Sequence, residues 1–345
     1  MQNYNLWSKY SLMASSERQF LLDMIKKHKP KKILSVGIAA GANEAMILEF
    51  LETQNLLDEV KLISIDYLDR HWIEDDEIGF LVKRCVPHLA KYWTLYKPGI
   101  SAKFLEEIGG GIDCCIIDTV HWAPGEALDF LMILPFLAKN ALLIMHDITM
   151  HCVFGDIDWV GWKDTKSLNI CSTLFGFWQG AKEFPPPYEM HSSIGADYKP
   201  LFQNIGACVL SDNQMEENCL ESYFRILNLP WIEIPQEADL EIIKGHFYKY
   251  YGEKFTSYFE KIIEMQKGYK GTQPQDLKLK ISELESQINK LSELNKIYKE
   301  NANFKNHLSY KLGNALIKSY KQGIFGIFMA PFAAAKVALD YKKRA

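Results

Sequence analysis

Four short runs of this chain end in groups able to do chemistry. Val36-Gly-Ile-Ala-Ala-Gly41 breaks an apolar run at a glycine and restarts with helical spacing. Val60-Lys-Leu-Ile-Ser-Ile65 ends at Asp66, Ile112 to Ile117 ends at Asp118 shortly before His121, and Ala141-Leu-Leu-Ile-Met145 ends at His146-Asp147. A glycine turn between strand and helix brings backbone N–H groups to the carboxyl end of a parallel strand, where doubly wound sheets bind nucleotides. The acids and imidazoles after the other runs gather polar chemistry along the same edge. Gly37, Ala39 and Gly41 are a poor dinucleotide fingerprint, because G-x-G-x-x-G needs glycines where residues 39 and 42 are both alanine. No Gly-Lys-Ser/Thr follows the turn, which excludes a phosphate loop of the nucleoside-triphosphatase kind.

Placing these groups on one edge requires strands alternating with helices. Ser15-Ser16-Glu17 ahead of Phe20, Leu21, Leu22, Met24 and Ile25 predicts a helix stopped by Pro30. Strand one is expected at 33–36, then the turn, then a helix with Met46, Ile47, Phe50 and Leu51 on its buried side. Further strands are expected at 60–65, 93–96, 112–117, 141–145 and 205–210, with helical stretches at 72–92, 101–108 and 127–137. Residues 151–200 read as irregular and aromatic, with Trp159, Trp162, Phe175, Phe177 and Trp178. The repeated alternation predicts an α/β domain with a doubly wound, mostly parallel sheet.

Composition narrows the class. A chain of 345 residues with ordinary apolar and charged fractions can hold one large domain or two moderate ones, and a formal charge of -4 argues against a whole-molecule nucleic-acid binder. Seven cysteines without regular spacing, two of them adjacent at Cys114-Cys115, predict no disulfide framework and a reduced, cytoplasmic compartment. Residues 1–30 lack an apolar signal core, and no run approaches the roughly 18 apolar residues of a membrane span, so a soluble or peripheral protein is expected.

The domain carrying these motifs is expected over 1–266, followed by a Gly/Pro-interrupted linker at 267–276 and a helical region at 277–345. Leu277, Ile281, Leu284, Ile288 and Leu291 alternate four and three apart, with Asn295 at the next core position and Tyr298 after it, a short coiled coil suited to homo-oligomerisation. From Leu308 onward, Lys311, Lys318, Lys321, Lys336, Lys342, Lys343 and Arg344 flank apolar groups, a pattern suited either to an anionic membrane surface or to packing on a partner chain.

Taken together, Val36–Gly41, Ile65-Asp66, Ile117-Asp-Thr-Val-His121 and Ile144-Met-His-Asp-Ile148 resemble class I S-adenosylmethionine-dependent methyltransferases. The nearest branch is that of sugar and natural-product O-methyltransferases, including macrocin O-methyltransferase-like and cephalosporin-hydroxylase-like proteins. The resemblance covers roughly residues 15 to 212 and implies a Rossmann-like methyltransferase fold. It further implies that Gly37, Ala39 and Gly41 let the backbone approach the cofactor, that Asp66 accepts hydrogen bonds from its ribose, and that Asp118 borders it. Two departures stand out: Ser35 and Val120 occupy positions where relatives carry acids. The stretch from Tyr310 to Lys318 and beyond resembles a C-terminal element of surface-polysaccharide enzymes from epsilon-proteobacteria.

In the resembling enzymes, acids after strands four and five hold a divalent cation against the acceptor hydroxyl, positions matched here by Asp118, His146 and Asp147. Carboxylates suit Mg²⁺, and an imidazole shifts the preference toward Mn²⁺ or another transition ion. With Val120 in place of an acid, His121 is the nearest group able to take the hydroxyl proton near neutral pH, with Asp118 and Asp147 beside it. The expected activity is O-methylation of a sugar hydroxyl in a bacterial surface glycan or its precursor. The alternative is a catalytically silent, cofactor-binding or scaffolding subunit of a glycan-assembly complex.

Overall fold

The computed structural model describes residues 10, 13–72, 76–149, 170–189, 201–268, 290–291, 308–320 and 323–342. The chain divides into two units, Met1–Thr272 and Gln273–Ala345. The strands are β1 (Lys32–Val36), β2 (Lys61–Ile65), β3 (Trp93–Tyr96), β4 (Ile112–Ile117), β5 (Leu137–His146), β6 (Gly180–Glu183), β7 (Tyr188–Glu189), β8 (Leu201–Phe202) and β9 (Ile205–Leu210). The first unit's helices are α1 (Ser15–His28), α2 (Ala42–Thr53), α3 (Phe80–Cys85), α4 (Leu105–Ile108), α5 (Gly125–Ile133), α6 (Cys171–Phe177), α7 (Glu217–Ile226) and α8 (Glu237–Gly268).

Seven strands form one sheet in the order β3-β2-β1-β4-β5-β9-β6, and β7 pairs with β8 separately. The first five run parallel, while β9 is antiparallel to both β5 and β6. Strand order reverses between β1 and β4, which opens the crevice of a doubly wound sheet at their carboxyl ends.

Both sheet faces are covered, which is why the strands are continuous apolar runs. Ile33, Cys114, Ile116, Leu142 and Ile144 pack with Leu21 and Ile25 of α1 and Ile47 and Leu51 of α2. Leu34, Val36, Cys115, Ile117, Leu143 and Met145 pack on the other side with Phe130 of α5 and Phe247 and Phe259 of α8. Cys114 and Cys115 therefore enter opposite cores, and every described cysteine is a free thiol.

Three expectations need adjusting. The helix expected to reach residue 137 ends at Ile133, and a 3₁₀ turn over Leu134–Phe136 hands the chain to β5 at Leu137, because Pro135 cannot donate to a helical bond. Between 72 and 92 the helical character resolves into α3 and a 3₁₀ turn from Pro87. The part of 151–200 that is described is not irregular: it holds α6, β6 and β7, with Phe175 and Trp178 buried in the core. Trp159 and Trp162 lie outside the described residues.

In the expected linker, α8 continues through Lys267 and Gly268, and positions 269–276 lie outside the described residues. So do the heptad positions apart from Leu291, which is exposed. Within the second unit, α9 (Leu308–Tyr320) and α10 (Gly323–Lys342) contact one another. Among the described residues, no helix is long and apolar enough to cross a membrane.

Candidate functional site

The glycine turn joins β1 to α2 at the crevice. Gly37 and Gly41 both hold positive φ, +79° and +80°, a region open to glycine at little cost. Space enforces the same choice: a Cβ on Gly37 would lie 2.1 Å from the carbonyl oxygen of Asp118, and one on Gly41 would lie 2.8 Å from Cα of Gly79. The turn is pinned by Gly79 N–H donating to Ala39 O at 2.8 Å and Leu81 N–H donating to Ala40 O at 2.9 Å. Ala39 also has positive φ.

Asp66, buried at the end of β2, holds the turn from the other side. Its Oδ2 accepts from the backbone N–H of Ile38 at 2.9 Å and of Ala39 at 3.1 Å, and its Oδ1 accepts from Leu68 N–H at 2.9 Å. Oδ2 has both lone pairs engaged, while Oδ1, which accepts once, keeps acceptor capacity for a ribose hydroxyl.

Beyond β4 and β5 the other predicted residues meet. His121 Nε2 lies 2.9 Å from Asp147 Oδ2, and its Nδ1 lies 3.1 Å from Glu126 Oε1. His146 Nδ1 lies 3.2 Å from the same Asp147 Oδ2 and 3.4 Å from Asp118 Oδ1, while its Nε2 faces Glu17 Oε2 at 3.3 Å. Asp147 takes positive φ, and its Oδ1 accepts from Asn204 Nδ2 at 2.5 Å.

The cluster's charges decide its protonation. Burial disfavours both imidazolium ions, but attraction to Asp147, with Asp118 adding to it at His146, outweighs burial and raises both histidines well above their ordinary range. Asp147 also resists burial, and the two rings hold its carboxyl well below the usual carboxylate range. His121 thus sits between two carboxylates, Asp147 and Glu126, whose charges favour the protonated ring.

Several partners had no strong sequence signal. Glu17 looks like an early acid of α1 and does accept from Ala14 N–H at 2.6 Å, yet the same oxygen reaches His146. Glu126 sits in the first turn of α5, and Asn204 directly precedes β9. Asp129 accepts from Ser101 Oγ at 3.0 Å and Thr119 Oγ1 at 2.9 Å, and burial pushes its carboxyl up to about 6.

Asp118, His121 and Asp147 each offer a ligand atom within 4.8 Å of the others, the compactness a small cation requires. His121, Glu126 and Cys171 form a second such group. Two carboxylates with one imidazole fit a divalent ion of Mn²⁺ character, and the expected ligand His146 stands against the same two carboxylates. The residues present therefore fit a cation.

Residues 34–148 match a family model described as a methyltransferase domain, and residues 244–345 match one described as a domain of unknown function. No curated protein matches the chain. Among solved structures, an O-methyltransferase from Bacillus cereus in complex with S-adenosylhomocysteine is similar at 12% identity, over 60% of this chain and 88% of that one, with a TM-score of 0.40. The O-methyltransferase TomG of tomaymycin synthesis, from Streptomyces achromogenes, is similar at 11% identity, over 58% of this chain and 81% of that one, with a TM-score of 0.37. An S-adenosylhomocysteine-bound methyltransferase from Podospora anserina is similar at 13% identity, over 61% and 87%, with a TM-score of 0.39. The matched segment runs from β1 to the residue after Asp147, so the methyltransferase-domain match over residues 34–148 spans the glycine turn, Asp66 and the groups that follow β4 and β5.

Proposed function

We propose that the chain methylates a sugar hydroxyl of a bacterial surface glycan or its precursor, with a divalent cation bound by Asp118, Asp147 and His146. The observation that carries this reading is the convergence on one sheet edge of a glycine turn clamped by Asp66 and a His121–Asp147–Asp118 cluster. The sugar acceptor rests on the resemblance of the strand-end motifs to glycan and natural-product O-methyltransferases.

Methyl transfer from a sulfonium to an alcohol is an in-line displacement, so the protein supplies alignment and a destination for the hydroxyl proton. Mg²⁺ or Mn²⁺, when bound, holds the acceptor oxygen and lowers its pKa. His121 is the group placed to keep the proton: Asp147 and Glu126 both stabilise its charged ring, as a carboxylate does for a histidine base. Only the neutral ring can accept, so His121 must first release its Nε2 proton to solvent and then meet the hydroxyl with that nitrogen.

Glycan masses from cells with and without the gene test the reading. The expected result is a loss of about 14 Da per modified site, one CH₂ for each methyl that replaces a proton. Unchanged masses overturn it. The engagement of both His121 ring nitrogens favours a second reading, a catalytically silent cofactor-binding subunit. Conversion of S-adenosylmethionine to S-adenosylhomocysteine with a capsule or lipooligosaccharide precursor excludes that reading.

The helical region extends the proposal. Lys318, Lys336 and Lys342 are exposed on α9 and α10 alongside exposed Ile317, Phe332 and Leu339, a composition that suits an anionic membrane where lipid-linked glycans are assembled. Cosedimentation with anionic liposomes, compared between the full chain and one ending at Tyr310, tests this role; equal binding discards it in favour of chain pairing.

A further inference from the structure

Glu44 is the third residue of α2, immediately after the glycine turn, and is 1% exposed. Its Oε1 accepts from Ser35 Oγ at 2.7 Å. Its Oε2 is buried and has no hydrogen-bond partner among the described residues. A buried polar atom left unpaired is costly, and few persist in folded proteins without a reason. Packing alone does not supply one, since a glutamine would accept the same Ser35 bond without a charge.

The surroundings indicate what Oε2 is for. Asp118 and Asp66, which flank the same turn, both act on Glu44 through their charge. Asp66 and Asp118 follow β2 and β4, and Glu44 opens the helix that follows β1, so three carboxylates belong to the same end of the sheet, a place suited to a cation. Burial pushes the Glu44 carboxyl up to about 7 against the opposing Ser35 bond, so it lacks a counter-charge that a positively charged ligand would bring. One residue earlier, Asn43 Oδ1 is likewise buried without a partner among the described residues.

S-adenosylmethionine presents a sulfonium, an α-ammonium and an α-carboxylate. The N-terminus of α2, a helix of 12 residues, suits the carboxylate, because the first N–H groups of a helix lack intrahelical acceptors and carry partial positive charge. The ammonium requires an acceptor at the same place. We infer that Glu44 is the residue that receives the cofactor's α-ammonium, through Oε2, with Ser35 orienting the carboxylate through Oε1. This rests on the cofactor reading above.

Calorimetry on the full chain tests it with two probes: S-adenosylhomocysteine, which carries the ammonium, and 5′-methylthioadenosine, which keeps the nucleoside and lacks the amino-acid portion. Glu44→Gln is expected to weaken S-adenosylhomocysteine binding by about tenfold or more, the size of one lost charge-assisted bond, and to leave 5′-methylthioadenosine affinity unchanged. Equal loss for both probes, or no loss for either, overturns the inference by assigning Glu44 a purely structural role. Ser35→Ala provides a second variant, expected to show a smaller loss confined to S-adenosylhomocysteine; a loss shared by both probes counts against the inference. A wild-type chain that binds neither probe overturns the cofactor reading itself, an outcome distinct from a Glu44-specific failure.

Discussion

His121 Nε2 and Asp147 Oδ2 stand 2.9 Å apart across the ends of two adjacent strands, and that contact joins the residue that would take a proton to the residue that would hold a cation. Asp147→Asn removes a charge that favours the protonated His121 ring. The expected result is a His121 pKa displaced downward, read from imidazole chemical shifts across a pH titration. Loss of the anion also leaves two buried rings against fewer negative charges, so the variant should be less stable by about 3–5 kcal/mol, the cost of breaking a buried pair. An unchanged His121 titration would show that Asp147 does not govern the ring.

Asp66 serves two ends at once. Its oxygens accept three backbone N–H groups of residues 38, 39 and 68, and it is the acid expected to meet the ribose. Asp66→Ala should weaken S-adenosylmethionine binding by about tenfold or more, since hydrogen bonds to a charged group contribute roughly 1.5–3 kcal/mol each. Calorimetry giving wild-type affinity would remove Asp66 from the site. Asp66→Asn should fall between the two, because its amide oxygen can still accept part of the clamp.

Gly37 couples the two halves of the site. Its missing Cβ would fall 2.1 Å from Asp118 O, so Gly37→Ala must move either the turn or the start of the Asp118 loop. A left-handed backbone adds about 1–2 kcal/mol for a residue with a side chain. The expected phenotype is loss of cofactor affinity and of cation affinity together, measured separately by calorimetry. Loss of one alone would show that the turn and the Asp118 loop are independent.

The parts of the site legible in the sequence are those that directly follow buried strands. Asp66, Asp118 and Asp147 announce themselves because each directly follows an apolar run buried on both faces, and His146 closes the last of those runs. His121 is legible through its proximity to Asp118. Glu17, Glu44 and Glu126 are not, since an acid in the first turn of a helix has an ordinary reason to be there: it complements the helix dipole. Only the fold shows that Glu17 reaches His146, 129 residues away. The end of α5 is not legible, because apolar spacing continues smoothly from α5 into β5 and the break at Pro135 is a matter of backbone donors.

A cation held by Asp118, Asp147 and an imidazole should make methyl transfer sensitive to chelation. Exhaustive dialysis against EDTA is expected to abolish activity. Mn²⁺ should restore it better than Mg²⁺, because imidazole is a poor partner for magnesium. Activity that survives chelation and is not stimulated by either ion would leave His121 to take the proton without metal assistance.

Glu44 and Asp129 give the domain a stability that declines as pH rises. Their carboxyls are pushed up to about 7 and about 6. Between the ordinary carboxyl range and those values, the folded state keeps protons that the unfolded chain has released. The unfolded state then binds fewer protons, so stability is fullest below the unfolded pKa and is lost as pH climbs through the folded one. For Glu44 the loss amounts to about 3 kcal/mol between about pH 4.5 and pH 7. Glu44→Gln, neutral throughout and still able to accept from Ser35, should escape it. Urea denaturation at a series of pH values should show the variant and the wild type converging near pH 4.5, with the variant more stable at pH 8. Parallel curves would mean that Glu44 is already ionised in the folded chain and that a counter-charge stands beside Oε2 before any cofactor arrives.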